Sequence, residues 1–419
     1  MHRIIAAVLA AAACAHGAQA QTSPPVAQAG TLTLDRALEL AGGAAPSVNV
    51  ATASVRVAEA QRRVAGLRPN PTVQTEIENV AGTGPYRGLG QAETTVSLAL
   101  PIELGGKRSA RIAVADAQAW RALLTSAITQ ADVRVQVTQL YVAAVSEKWR
   151  AFNARDQLRI AEDALSVARA RVQAGRASPI EEQRADVARL NAQAGAERSQ
   201  RLADAATTNL SRRIGQPAGL VDMTALDAIP AVDYGPGLRP DAAGTLALAA
   251  ADADLAFADA GIRLARSQRL PDITVGPGIR RFEATNDMAA VISFSIPIPV
   301  FNSGRAAIDQ ATAERDRVEA QRRVTALDVE QAITDAQAEA DNAATAARNA
   351  NGPALAAAHE AARIARIGYR EGKFGQLDLL DAERTLAETR LAAIDALAAY
   401  HNAKARLERL TAPAPDQGN

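Results

Sequence analysis

Polar and apolar residues alternate with a period of two in four short stretches of this chain. From Thr94 to Leu104 the apolar positions are Val96, Leu98, Leu100, Ile102 and Leu104, while Thr95, Ser97, Ala99 and Glu103 between them are small or polar. A later stretch repeats the pattern, with Ile292, Phe294, Ile296, Ile298 and Val300 set against Ser293, Ser295 and two prolines. Each has a partner upstream: Val73, Thr75 and Ile77 oppose Gln74, Glu76 and Glu78, and Ile273, Val275 and Ile279 oppose Thr274, Gly276 and Gly278. Such alternation marks strands with one apolar and one polar face. It predicts two β-hairpins, over residues 72–104 and 272–300, with strands of about 9 to 11 residues, the length that crosses a bilayer at a tilt.

Elsewhere the period is helical. Leu158, Ala161, Leu165, Ala168 and Val172 recur in steps of three and four, an apolar seam suited to coiled-coil packing. A helix is expected from Lys107 to a break near Gly175, on the order of 100 Å long at the α-helical rise, with a return helix from Ser178 to near Ile214. "GRASP" supplies the turn at 175–179, with Ser178 at the N-cap and Pro179 at the first helical position. "GKFGQ" supplies a second turn at 372–376.

The stretch "LPIELGGKRSARI" from Leu100 raises the question of a phosphate-binding loop. Such a loop needs a glycine five residues before its Gly-Lys and a Ser or Thr after the lysine. Here those positions hold Pro101, which has no N–H, and Arg108. The segment reads instead as a strand-to-helix joint: Pro101 cannot donate to a ladder, and Gly105 and Gly106 accept unusual backbone angles. If the strands span a membrane, Lys107, Arg108 and Arg111 fall at its aqueous edge, where cations meet lipid headgroups. "GTGPYRGLGQ" from Gly82 leads no helix and reads as a hairpin tip.

The joint returns. "VSLALPIELGGKRSARI" from Val96 aligns without a gap on "ISFSIPIPVFNSGRAAI" from Ile292, placing Pro297 and Pro299 at the second joint. "RPNPTV" from Arg68 likewise pairs with "LPDITV" from Leu270, and Gly175 pairs with Gly372. A period of about 200 residues is too long for a solenoid and implies two copies of one large unit. The first runs over 21–215 and the second over 239–411, with a Gly- and Pro-rich linker at 216–238 and a tail at 412–419.

Composition narrows the function. The 419 residues carry 46 basic and 46 acidic side chains, so nothing draws the chain to nucleic acid. Aromatics are only 3%, and with abundant alanine this favours long, closely packed helices. Residues 1–20 read as a signal peptide ending in Ala18-Gln19-Ala20; it removes the single cysteine, Cys14, unless that residue is lipidated. Beyond it no apolar run is long enough for a membrane helix, so any membrane crossing must be made by strands. Four strands alone would leave sheet edges unpaired in lipid, and closed bacterial barrels start at about 8, so the chain must oligomerise. His359 and His401 lie far apart and read as helix-surface residues, with no metal-ligand spacing and no cofactor. No catalytic set can be assembled, which excludes an enzyme. A non-membrane coiled-coil scaffold remains the rival, though it leaves the two hairpins unexplained.

Across nearly the whole mature chain the sequence resembles the TolC-type outer-membrane efflux proteins, and within them the CzcC-like branch for cobalt, zinc and cadmium. The resemblance rests on "LTLDRALELA" at Leu32, "LPIELGGKR" at Leu100, "RPD" at Arg239, "IPIPVFNSG" at Ile296 and "YREGKFGQLDLLDAERTL" at Tyr369. It implies a mainly α chain with a small β part: a periplasmic α-barrel of long antiparallel helices and a homotrimeric, 12-stranded transmembrane β-barrel. It also implies a passive duct in the outer membrane that works with a periplasmic adaptor and an inner-membrane resistance-nodulation-division pump. Multidrug efflux or protein secretion is the alternative within the family. The adaptor would grip the hairpin tips at Gly175, Ser178, Gly372, Lys373 and Gly375. The resemblance places entrance carboxylates on Asp378 and Asp381, with Glu181 as the first-copy equivalent of Asp378, and a gate-latching tyrosine on Tyr369. Phe374 stands where gate-locking relatives carry arginine. The competing explanation of these acids is local, because carboxylates near a helix start are favoured by its partial positive charge.

Overall fold

The computed structural model describes residues 31–229 and 242–416. The expected signal segment, Cys14, "RPD" at Arg239 and part of the 216–238 linker lie outside them.

The first described elements are α1 (Leu34–Ala44) and α2 (Pro46–Ala65), then β1 (Thr72–Glu78) and β2 (Glu93–Ile102). These are followed by α3 (Lys107–Gln173) and α4 (Pro179–Ile214). The second half repeats this with α5 (Leu246–Ser267), β3 (Ile273–Phe282), β4 (Asp287–Ser295), α6 (Arg305–Asn349), α7 (Leu355–Arg370) and α8 (Gln376–Leu410). The 67 residues of α3 span about 100 Å. No helix among the described residues is long and apolar enough to cross a membrane.

One antiparallel sheet, in the order β1-β2-β3-β4, joins the two hairpins through β2 and β3. Below it the helices form a layer in the matching order, α2 on α3, α3 on α5 and α5 on α6. Further along α3, the layer becomes α4-α3-α8-α7. The main core sits midway, where Val137, Tyr141 and Val145 of α3 meet Leu210 and Ile214 of α4, Leu397 and Tyr400 of α8, and Val221 and Leu226 of the linker. Tyr141 donates its hydroxyl to the Leu32 carbonyl at 2.9 Å. The predicted seam is realised lower down, where Leu165 and Ala168 pack on Ala185.

Three expectations change. The last strand ends at Ser295, not Val300, so Ile296 to Val300 run on outside the sheet. Pro297 and Pro299 delete two donors on the same side of the extended chain, and no ladder can continue through them. Pro101, by contrast, stays within β2 opposite Thr274. The second long helix is interrupted by a π-helical turn at Ala350–Ala354 that contains Pro353 and a non-helical Gly352. Ser178 does occupy the N-cap of α4, yet its side chain caps nothing.

Candidate functional site

Strand register sorts the sheet into two faces. Pairing of Thr95 with Glu76 and Arg280, and of Val96 with Thr75 and Ile279, puts all even positions of β2 on one side. That side gathers Val73, Ile77, Val96, Leu98, Ile102, Ile279, Ile292 and Phe294, all exposed in the single chain, Phe294 at 71%. The other side carries Gln74, Thr95, Ser97, Gly276, Gly278 and Ser293. At its far end Glu78 and Glu93 stand directly opposite each other, an arrangement that is unfavourable without a counter-charge. Arg280 supplies it, meeting each carboxylate at 2.9 Å and the Thr95 hydroxyl at 2.8 Å. No sequence spacing points to this cluster, because its members come from three strands, although Arg280 shares the parity of Gly276 and Gly278 on the polar face.

The first joint is tightly fastened. Gly105 and Gly106 both adopt left-handed backbone, with φ of 70° and 71°. A side chain on Gly105 would also meet Leu270 and the Ser267 carbonyl at 2.9 Å. Asp272, which leads into β3, accepts from Lys107 Nζ at 2.6 Å and from the Leu104 N–H at 3.1 Å, tying the two halves together. Arg108 donates to the Gly66 carbonyl at 2.6 Å, and Arg111 to the Leu67 carbonyl at 3.1 Å and to Glu103. These cations, expected to face headgroups, are thus engaged within the chain. At the second joint Asn302 accepts from the Gly304 N–H at 3.0 Å, while Ile298 is 81% exposed and Phe301 fully so.

At the opposite end the two helical turns come together. Tyr369 is buried, with the Arg171 guanidinium 5.2 Å from its ring centre. Asp378 accepts the Gly375 N–H at 2.9 Å at the start of α8, so the local reason for an acid is met there. Asp381 is exposed one turn on. Glu181 lies in the first turn of α4 with one buried carboxylate oxygen unpartnered, and Glu182 pairs with Arg169 at 3.1 Å. Gly175 and Gly372 take φ of 69° and 74°, and Lys373 and Phe374 donate their N–H groups to the Gly368 carbonyl.

Above this tip, Arg390 of α8 reaches Asp156 of α3 at 2.8 Å, and Arg150 of α3 pairs with Asp395 of α8. Burial pushes the Asp156 carboxyl up, but hydrogen bonds from Arg159 and Arg390 outweigh it and hold the group below its ordinary value. Between these ties and the tip lies a groove of about 580 Å³, lined in part by Ile160, Val167, Leu380 and Glu383. Glu383, 4% exposed, is held by Arg366 of α7. His359 is exposed, as expected, whereas His401 is half-buried and contacts the Leu226 carbonyl at 3.0 Å. Among the described residues no cluster of three or more His, Cys, Asp or Glu side chains could hold a metal.

Against this geometry the comparisons with known proteins are decisive. The profile described as outer membrane efflux protein matches residues 37–216 and 242–412, one stretch in each half of the duplication. The chain belongs to this family. The cobalt-zinc-cadmium resistance protein CzcC of Cupriavidus metallidurans is 30% identical over 393 residues, covering 92% of this chain and 91% of that protein. The nickel-cobalt-cadmium resistance protein NccC of Alcaligenes xylosoxydans xylosoxydans is 28% identical over 70% of this chain and 65% of its own length. A crystal structure of CusC, studied for transmembrane channel formation, shares the fold of this efflux-family chain, with a TM-score of 0.75 at 18% identity over 91% of this chain and 92% of that one.

Proposed function

We propose that the chain is the outer-membrane channel subunit of a tripartite heavy-metal cation efflux system, a passive duct in which three copies close one barrel. The observation that carries this is the pair of open edges. Sheet and upper helix layer run in the same order, so β1 lies above α2 at one side of the protomer and β4 above α6 at the other. Three copies would pair β4 with β1 of the next, closing 12 strands, and α6 with its α2. The outer surfaces of both helices suit that contact: Val50, Val57 and Val64 on α2, and Ala306, Ala313, Ala320 and Leu327 on α6, recur at heptad spacing and are exposed in the single chain.

The apolar face of the sheet then meets lipid, the polar face lines a wet bore, and the helices extend it through the periplasm. Asp378, Asp381 and Glu181 would ring the entrance at the far tip. Gly175, Ser178, Gly372, Lys373 and Gly375 would meet a periplasmic adaptor, which links the duct to an inner-membrane resistance-nodulation-division pump. The duplicated units would be residues 21–215 and 239–411, behind a signal peptide. Metal cargo is favoured by the likeness to CzcC and NccC, and choice of ion is assigned to the pump.

Two measurements test the reading. Fractionation should yield a heat-modifiable oligomer in the outer-membrane pellet; a freely soluble monomer would favour a scaffold. Deleting the gene should sensitise cells to cobalt, zinc or cadmium, and sensitivity to drugs alone would overturn the metal assignment.

A further inference from the structure

The cations next to the sheet divide into two sets. Lys107 and Arg111 lie four residues apart on one side of α3 and are engaged by Asp272 and Glu103, which continue the parity of the polar face. Ser109 and Ala113, two residues out of step with them, lie on the opposite side of the helix, about 200° round. There, together with Gly105, Gly106 and the α5 residues Arg263 and Arg266, they line a cleft of about 400 Å³. Both arginines are exposed, and neither has a hydrogen-bond or ion-pair partner among the described residues.

The cleft opens on the side of the layer that carries the apolar face of the sheet. Ile102 and Leu104, the last apolar positions of that alternation, stand directly before Gly105 and Gly106 and are exposed at 48% and 36%. An oily row thus runs into a pair of free cations, a profile that matches an amphiphile with its tail beside the strand and its anionic head in the cleft. The place within the protomer matters as well. α3 and α5 are the two inner helices of the upper layer, and α2 and α6 are its flanks. The contacts proposed between copies use the flanks, so they leave this cleft uncovered.

We infer that this cleft binds the phosphate of an anionic membrane phospholipid, held by Arg263 and Arg266 while the acyl chains lie along Ile102 and Leu104. This rests on the channel reading above, which puts the apolar face in lipid, and adds where along the chain the headgroups are met. Guanidinium groups suit the role because each can donate to two phosphate oxygens at once. A zwitterionic lipid brings its own ammonium to its phosphate and gains less from the two cations. A free phosphate ion would leave the oily row unused.

The test is native mass spectrometry of the purified oligomer in detergent, titrated with dioleoylphosphatidylglycerol or dioleoylphosphatidylcholine, each variant first checked on gels for the same heat-modifiable oligomer as wild type. Wild type should retain phosphatidylglycerol in preference to phosphatidylcholine. Arg263→Gln and Arg266→Gln should each weaken that retention roughly 5-fold, and the two together roughly 25-fold, the usual effect of a cation at an anionic membrane surface. Arg198→Gln, which removes an exposed arginine of α4 with no partner among the described residues, should leave retention unchanged. Inorganic phosphate at the lipid's concentration should not displace it. Equal retention of the two lipids by wild type, unchanged retention in the double variant, or an equal loss in Arg198→Gln would each overturn the inference. Displacement by equimolar inorganic phosphate would do so too, because the cleft would then be a site for free anions. Any of these results in an oligomer that still pellets with the outer membrane leaves the channel reading standing. A freely soluble monomer would remove that reading, and the lipid site with it.

Discussion

Single residues carry unequal weight in this chain. Burial, reinforced by the Asp222 charge, pushes the Tyr141 phenol up to about 12, so it stays a hydrogen-bond donor to the Leu32 carbonyl at any working pH. That carbonyl also accepts the Asp222 N–H at 3.1 Å and is not orphaned when the phenol is lost. Tyr141→Phe should therefore cost only about 1 kcal/mol, read as a small drop in the melting temperature of the purified oligomer. The paired joint glycines should separate more sharply. Both pay about 1–2 kcal/mol for a side chain in the left-handed region. At Gly106 the added carbon meets the Ser109 hydroxyl at 3.2 Å, which can rotate aside, whereas at Gly105 it meets backbone. Gly105→Ala should lower oligomer yield more than Gly106→Ala in parallel preparations.

At the scale of elements, the docking of α3 on α8 should weaken in acid. Asp156 titrates below its ordinary value in the folded chain, so its tie to Arg390 contributes fully above the usual carboxylate range and is lost as pH falls through the depressed value. Thermal stability of the oligomer should change little from about pH 7 to 5 and fall below about pH 4. Asp156→Asn should flatten part of that fall, and an unaltered acid limb would exclude this tie as a contributor. The elements themselves were largely legible, because period-two and period-3.6 patterns report which face is covered: α3 begins at Lys107 and α4 at Pro179, where the glycine joint and the Ser-Pro start put them. Two features were not absorbed. Pro353 within an otherwise helical run signals a break, and the π-helical turn is there. The prolines at 297 and 299 kept the alternation of a strand while removing its donors, so pattern outran hydrogen bonding. The contacts of Arg171, Arg280 and Lys107 were illegible for a different reason: each partner lies in the other half of the chain or across a hairpin, and spacing says nothing about such pairs.

For the whole molecule, the proposed duct makes the exposed Asp381 the sharpest electrical test. Three copies would set its carboxylates around one entrance, whereas Asp378 is already engaged by the Gly375 N–H. Asp381→Asn should lower cation selectivity in planar bilayers, seen as a smaller reversal potential under a salt gradient, and should weaken block by multivalent cations; unchanged values would remove Asp381 from the entrance.

The unsatisfied flanks of the sheet also dictate an order of events in biogenesis. A solitary chain dissolved in hydrocarbon would expose a row of bare amide groups along β1 and another along β4, each costing several kcal/mol. In the proposed duct, insertion would therefore be coupled to the meeting of subunits, so the yield of embedded pores should climb more steeply than linearly with the supply of chains.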